Sequence, residues 1–223
     1  MLRAGDSLDP SASQALAELC ERYWYPVYAF LRRRGQSVDD AQDLAQSFFV
    51  HLLERRTVKA ADPGRGRFRS FLLTALKFHV ADQRAWQSAK KRGGGVTPAS
   101  LDFEMAEEKY QLEGDPEETP DRLFDRRWAL EVLETTYRQL REELARSAHP
   151  ERVRLVDLLT GEGPAYAVVG EELGMSTSAV KVAMHRLRQR FGSSLRDQVS
   201  QTVDDPSKVD DELRYLLRAV GDG

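Results

Sequence analysis

Four polar residues near the carboxyl end of the chain recur at the spacing of one helix face. They follow one another at intervals of three, four and three residues: Ser178, Lys181, His185 and Arg188. On a helix this spacing places all four on the same side. Their side chains offer hydrogen-bond donors of different lengths, which suit the base edges and phosphates of a DNA groove. The pattern therefore predicts a helix that binds duplex DNA.

The surrounding residues predict the element that would hold this face, a helix-turn-helix over 165–191. Gly174 stands where a tight turn needs a positive φ angle, which glycine adopts without steric cost, and Ser176 is a suitable N-cap for the second helix. The opposite side of that helix is an apolar stripe that would fix its pose: Val180, Met184, Leu187 and Phe191. An amphipathic core helix with a solvated basic face is the alternative, but the turn, the cap and the stripe together favour DNA binding.

This stretch resembles region four of the extracytoplasmic-function (ECF) sigma factors. The resemblance rests on Tyr-Ala-Val-Val-Gly-Glu-Glu-Leu-Gly-Met-Ser at 166–176 and Ala-Val-Lys-Val-Ala-Met-His-Arg-Leu-Arg at 179–188. Where the family typically shows Thr-Val-Lys-Ser-Arg, this chain keeps Val180 and Lys181 and lacks the Thr and the Arg. The resemblance implies contact with the minus-thirty-five promoter element through eight residues: Ser176, Thr177, Ser178, Lys181, His185, Arg186, Arg188 and Arg190.

The amino-terminal part carries a second resemblance to the same family. Residues 40–52 are similar to the family pattern Asp-Ala-Glu-Asp-Leu-Val-Gln-Glu-Val-Phe, whose helix docks on the largest polymerase subunit. The apolar spacing predicts that Leu44, Phe48 and Leu52 face a core. The resemblance implies that the polar face binds polymerase through three residues: Asp40, Asp43 and Gln46. By themselves these three residues favour an ordinary solvated helix face, and it is their pairing with a helix-turn-helix later in the chain that favours polymerase binding.

A third segment, Phe-Arg-Ser-Phe-Leu-Leu-Thr-Ala-Leu-Lys at 68–77, resembles the family helix that captures the minus-ten element. Its basic residues would hold the phosphates of the separated strand. Phe78 or Trp86 would stack on unpaired bases, or else both would pack in the core. The residues that the resemblance implies for the minus-ten element are Arg69, Lys77, Phe78, Arg84, Trp86, Lys90, Lys91 and Arg92.

Charge is distributed unevenly along the 223 residues, although the net charge is only −3. Residues 65–92 hold eight basic residues against one acid, and residues 102–125 then hold ten acids. The basic stretch suits a phosphate partner and the acidic stretch avoids one. Glycine, proline and sparse apolar residues around the acidic stretch predict a flexible linker.

Helical periodicity without strand-like alternation predicts an all-α chain of two small helical domains. We expect sigma region two at 12–92, the acidic flexible linker at 93–122, sigma region four at 123–200 and an amphipathic carboxyl-terminal extension at 204–221. The extension is predicted to dock through Leu213, Leu216 and Val220. If the resemblance holds, the two domains bind promoter elements that lie about two DNA turns, or roughly 70 Å, apart. A linker of this length has a mean span of only about 30 Å, so the polymerase would have to hold the domains apart.

The resemblance implies a sigma factor that binds core RNA polymerase and directs promoter recognition, DNA melting and transcription initiation. Core polymerase and promoter DNA are the expected partners, with an anti-sigma factor or another regulator as a further candidate. The alternative is a helix-turn-helix transcriptional regulator that acts without polymerase. That alternative predicts a sensor or dimerisation domain in the amino-terminal half, where the pattern is helical throughout.

Enzymatic, metal-binding and membrane functions find little support in the sequence. His79 and Asp82 stand one helical turn apart, but no further ligand completes a metal site, and Cys20 is the sole cysteine. No phosphate-binding glycine loop with its Lys-Ser/Thr is present. No run approaches the roughly 18 apolar residues of a membrane span, and the start of the chain lacks a secretory signal. We therefore expect a cytoplasmic, non-enzymatic protein without cofactor or metal.

Overall fold

The structure is a computed structural model, and it describes residues 10–54, 67–87, 103–112, 117–161 and 163–221. All regular elements within these ranges are helices, and the only strand-like contact there is an isolated antiparallel bridge between Arg67 and Val203. The described chain confirms the predicted all-α fold.

Three helices form the amino-terminal half: α1 (Pro10–Arg33), α2 (Val38–Glu54) and α3 (Phe68–Gln87). The first is kinked at Tyr23, where φ is −106° and ψ is 17°. Pro26 follows within the same helix and explains the kink, because its ring displaces the carbonyl four residues earlier. Gly35, with a φ of 83°, makes the turn to α2, and Ser37 Oγ accepts the Asp40 N–H at 3.1 Å to cap that helix.

A fourth helix, α4 (Phe103–Leu112), lies inside the segment predicted as a flexible linker. It packs on α1 through the buried Ala106. Its Glu107 accepts two hydrogen bonds from the Arg32 guanidinium, at 2.8 and 2.9 Å, and one from the Tyr28 hydroxyl at 2.6 Å. Such paired, charge-assisted bonds are among the stronger polar contacts in proteins. This part of the linker is therefore a docked helix, which local composition does not indicate.

The carboxyl-terminal half is built around α5 (Pro120–Ala145). Thr119 caps it by accepting the Arg122 N–H at 3.3 Å, and Pro120 occupies its first turn. The elements that follow are a 3₁₀ helix (Pro150–Leu158), α6 (Tyr166–Glu172), α7 (Thr177–Ser200), a short 3₁₀ turn (Pro206–Lys208) and α8 (Val209–Gly221). Helix α5 extends about 39 Å at 1.5 Å per residue, long enough to contact both halves of the molecule.

Two hydrophobic cores share α5. Its first half contributes Phe124 and Trp128 to the core of α1, α2 and α3, where the Tyr23 and Trp128 rings stack with centroids 3.5 Å apart. Its second half contributes Leu140 to a smaller core with the 3₁₀ helix, α6 and α7. Residues 123–132, predicted to begin the second domain, thus pack with the first. The domain limits themselves stay a prediction.

Candidate nucleic-acid and polymerase interfaces

The helix-turn-helix is formed by α6, a tight turn and α7. Gly174 has a φ of +62° in the turn, and the Met175 N–H donates to the Gly170 carbonyl at 2.7 Å. A Cβ at Gly170 would lie only 2.6 Å from the Met175 carbonyl oxygen, so the turn passes too close for any other residue. Ser176 caps α7 by accepting the Ala179 N–H at 3.2 Å. The turn glycine and the cap lie where the sequence predicts them.

Three residues of the predicted apolar stripe of α7 are buried, and the fourth, Phe191, is half-buried. Val180 and Met184 are fully buried against Val169 of α6 and Leu140 of α5, and Leu187 joins the same core. This packing fixes which side of α7 faces outward. The exposed side is consequently a rigidly held surface.

All eight residues predicted for the minus-thirty-five element are exposed on or beside α7. Three of them already have protein partners: Ser176 accepts the Ala179 N–H, Arg188 donates to the Tyr166 hydroxyl at 2.9 Å, and Arg190 lies 2.7 Å from Glu143. The exposed set is Ser176, Thr177, Ser178, Lys181, His185, Arg186, Arg188 and Arg190.

A groove of about 510 Å³ runs beside this surface, and its lining includes Arg186 and Arg190 of α7 together with Arg152. Sequence reasoning missed Arg152, because it comes from the 3₁₀ helix outside the helix-turn-helix. Its distance along the chain gives no sign that the fold brings it to the recognition helix. Arg152 is therefore the third guanidinium that lines the groove beside α7.

The polar face predicted to bind polymerase lies on α2. Asp40 and Asp43 are exposed, while Gln46 is half-buried. Asp40 is held in place by a hydrogen bond from the Ser37 hydroxyl at 2.7 Å. On the other side of the helix Leu44, Phe48 and Leu52 are buried, as the apolar spacing predicts. The helix thus presents a small anionic face outward.

Helix α3 presents part of the residue set predicted for the minus-ten element. Phe78 is 68% exposed, so it does not pack in the core. Lys77 lies beside it and forms an ion pair with Asp121 of α5 at 2.5 Å. The side chains of Arg84 and Trp86, and the residues Lys90, Lys91 and Arg92, lie outside the described part of the chain.

Arg69 is placed differently from the other predicted DNA contacts. Its side chain is 6% exposed; Nε donates to Glu212 Oε1 at 2.9 Å, and Nη1 donates to Asp125. The Tyr215 ring covers it, with the guanidinium carbon 4.4 Å from the ring centroid. Burial alone would lower the pKa of Arg69, but the bond to Glu212 and the nearby carboxylates outweigh burial and raise it. Arg69 is therefore a charged residue inside the protein and does not reach the surface in this structure.

The sequence does contain a signal for this buried cluster. Arg69 precedes the buried Leu72 by three residues and Leu76 by seven, so it falls on the inner stripe of α3. Glu212 shares a helix face with Val209 and Leu216, which are also buried. Two opposite charges at apolar positions of separate helices indicate a buried pair. Identifying the partners requires the fold.

His79 of α3 lies in a half-buried position against α2. Its Nε2 is 3.0 Å from the Ser47 hydroxyl, and the His51 ring is 5.6 Å away. Burial, reinforced by the charge that His51 can carry, lowers the pKa of His79 to about 4 despite Asp82 nearby. No group of three metal-ligating side chains gathers in the regions that the structure describes. His79 is thus a neutral packing residue at pH 7.

Comparison with known proteins gives one match. A family model for ECF sigma factors matches residues 11–197, which include α1 to α6 and most of α7. No curated protein and no solved structure matches the chain. Among the described helices, none combines the length and the apolar character needed to cross a membrane. Because the family match spans most of the sequence, the chain belongs to the ECF sigma factors, a family of transcription initiation factors.

Proposed function

We propose that this chain binds core RNA polymerase through the outer face of α2 and directs the enzyme to promoters through α7 and α3. The observation that carries the proposal is the two-sided character of α7. Its inner side is locked into a core by Val180 and Met184, while its outer side exposes a run of donors. A helix fixed in this way can enter the major groove and read base edges.

In this proposal, α3 contacts the minus-ten element. Phe78 offers an exposed ring on which an unpaired base can stack, a contact worth about 1 to 3 kcal/mol per base. Lys77 lies one residue away and supplies a charge for the strand phosphates once it leaves Asp121. Stacking of this kind favours the melted strand over the duplex, and so supports DNA opening.

The polymerase contact is supported by the charge and rigidity of α2. Asp40 and Asp43 are exposed on a helix whose opposite side is buried. Carboxylates held on a rigid helix give electrostatic complementarity to a basic partner surface. A helix-turn-helix regulator that acts without polymerase is less well supported, since residues 10–54 and 67–87 form helices packed with α5 and not a separate sensor domain.

The direct test is association with core polymerase followed by transcription. The purified chain should be retained by immobilised core enzyme. The combination should then give run-off transcripts from a subset of genomic fragments that core enzyme alone does not transcribe. Retention without any specific transcript, or no retention, would contradict the proposal.

A further inference from the structure

The groove beside α7 is lined at three positions where this chain departs from the family motif. The motif Thr-Val-Lys-Ser-Arg corresponds to residues 179–183, and Ala179, Val182 and Ala183 stand in place of its Thr, Ser and Arg. All three of these residues line the groove. The departures therefore remove two hydroxyl groups and one cation from a single surface beside the recognition helix.

A cation from another element lines the same groove. Arg152 of the 3₁₀ helix lies along it together with Ala183, and Leu155 of the 3₁₀ helix contributes to its apolar lining. Arg152 is half-buried, so the protein holds part of its side chain and limits the freedom that binding would otherwise cost. The guanidinium that the motif lacks at position 183 is thus matched by one that reaches the groove from outside the helix-turn-helix.

The two arginines of the 3₁₀ helix have different surroundings. Arg154 is engaged within the protein, because its Nη1 lies 3.0 Å from Asp157 and its Nε lies 3.0 Å from Glu172. Among the residues that the structure describes, no carboxylate lies within 4 Å of Arg152 or of Arg186. These two guanidinium groups are therefore available to an anion from outside the protein.

The length of the groove suits a DNA strand. Its α7 side runs from Ser178 to Arg190, a distance of about 18 Å at 1.5 Å per residue. The charges of one strand follow one another about every 3.4 Å along the duplex axis, so several phosphates fit beside this stretch. The apolar lining, which includes Met175 and Val182, suits the sugar carbons between them. A single inorganic ion needs no site of this length.

We propose that Arg152 replaces the missing motif arginine and binds a backbone phosphate of the minus-thirty-five DNA, with one strand lying in the groove beside α7. The inference rests on the function proposed above and adds a DNA contact that comes from outside the helix-turn-helix. Phosphate contacts position a protein on DNA but carry no sequence information. Arg152 therefore holds α7 in register while Ser178 and Lys181 face the bases.

Arg152→Gln in the full chain tests this contact. The variant is assembled with core polymerase and bound to a promoter fragment taken from the run-off experiment. Arg218→Gln is the matched control, since it removes the same charge from an exposed position of α8 outside the groove. Retention on immobilised core polymerase should be the same for both variants and for wild type.

Arg152→Gln should bind the promoter roughly tenfold more weakly, as expected for one lost hydrogen bond between charged groups. The slope of log affinity against log salt should fall by about 0.9, because one phosphate contact is lost. Arg218→Gln should keep both the affinity and the slope of wild type. An unchanged slope for Arg152→Gln would overturn the proposal, because a purely structural role leaves the number of phosphate contacts intact.

Uncharged DNA linkages locate the contact. Promoter fragments with a single methylphosphonate linkage at successive positions around the minus-thirty-five element are bound by both proteins. Wild type should lose affinity at one linkage to which Arg152→Gln is insensitive, and the two proteins should respond alike at all other linkages. Their preference for the matched over a mismatched element should also be equal. If no linkage distinguishes the two proteins, Arg152 does not bind the strand.

Restoring the motif arginine tests the replacement itself. Ala183→Arg in the Arg152→Gln background returns a guanidinium to the same groove and should recover the salt slope of wild type. Ala183→Gln in that background adds a long neutral side chain instead and should recover nothing. If Ala183→Arg leaves the slope reduced, Arg152 does not stand in for the motif arginine and the proposal is wrong.

An acidic protein surface is the alternative occupant of the groove. If Arg152→Gln loses polymerase retention while its salt slope on DNA is unchanged, the groove binds protein and the proposal is overturned.

Failure of the sigma factor function is a different result. If wild type gives no specific transcript, that function is wrong, and the salt slope is then measured for the free chain on duplex DNA at low salt. Arg152→Gln should still lower the slope there. If wild type transcribes normally and Arg152→Gln matches Arg218→Gln, only the groove contact is wrong.

Discussion

At the scale of single residues, Gly170 of α6 and Gly192 of α7 differ in what surrounds them. Gly170 has the Met175 carbonyl oxygen 2.6 Å from where a Cβ would stand, while Gly192 of α7 has nothing within 4 Å. A methyl group at the first position must displace backbone, whereas at the second it enters open space. An alanine at Gly170 therefore measures the steric cost of a Cβ, whereas an alanine at Gly192 measures helix propensity alone.

We expect Gly170→Ala to destabilise the protein by about 1 to 3 kcal/mol, because the turn has to shift to admit the methyl group. Gly192→Ala, the matched control, should be neutral or stabilise by up to about 1 kcal/mol through its better helix propensity. Chemical denaturation of both variants measures the difference. Equal effects of the two substitutions would show that α6 and the turn are not in close contact.

The buried position of His79 predicts how the free energy of unfolding depends on pH. Its pKa is lowered from 6.5 to about 4 by burial first and by His51 second. The folded state therefore binds this proton less readily than the unfolded state, so the contribution of His79 to stability is complete above pH 6.5 and is lost as the pH falls towards 4. Unfolding free energies measured from pH 7 to pH 4 should fall less steeply for His79→Gln than for wild type.

His185→Gln is the control for that pH series, since His185 is exposed on α7. Its pH dependence should follow that of wild type. A His79→Gln curve parallel to wild type would mean that His79 is protonated freely in the folded protein, contrary to its packing between Ser47 and His51.

At the scale of elements, the carboxylate of Glu107 is a main contact between α4 and α1. Glu107 joins it to α1 through Arg32 and Tyr28, and these bonds, led by that of Arg32, hold the pKa of Glu107 at about 2. The carboxylate therefore stays ionised, and its contribution to stability is lost only as the pH falls from about 4.5 to 2.

Glu107→Gln should loosen α4 without unfolding the rest. A hydrogen bond to a charged group contributes about 1.5 to 3 kcal/mol, and partial exposure reduces this, so amide exchange in residues 103–112 should quicken roughly tenfold. Glu108→Gln, which changes the exposed neighbour, should leave exchange unchanged. Equal exchange in the two variants would show that Arg32 does not anchor the helix.

Element type was predictable because it depends on local spacing. The apolar periodicity of α2, α3 and α7 indicates both the helices and their buried sides, and Gly174 with Ser176 marks the turn. Helix α4 was not predicted, since its acidic composition resembles a linker and its anchor, Arg32, lies 75 residues earlier. Local patterns cannot show an ion pair of that separation.

At the scale of the whole molecule, local sequence patterns do not predict how the two halves are arranged. Arg69 donates hydrogen bonds to Asp125 and Glu212, which lie 56 and 143 residues away in the sequence. The sequence shows charges at apolar positions but not which charges meet. It predicted a recognition surface on α7 and an anionic face on α2, and the structure exposes both surfaces, except that Gln46 is half-buried. It did not predict that Arg69 is buried.

The separation of the polymerase face from the DNA face is the central claim, and a crossed pair of assays tests it most directly. Lys181→Ala and the double variant Asp43→Ala with Gln46→Ala are compared in core-polymerase retention and in run-off transcription. Arg218→Ala, which removes an exposed charge from α8, is the control and should match wild type in both assays.

Lys181→Ala should keep polymerase retention while losing most of the specific transcript, because a groove contact is removed from an intact factor. The double variant should lose retention itself, and transcript falls as a consequence. Equal losses of retention in both variants, or normal transcription by Lys181→Ala, would contradict the account.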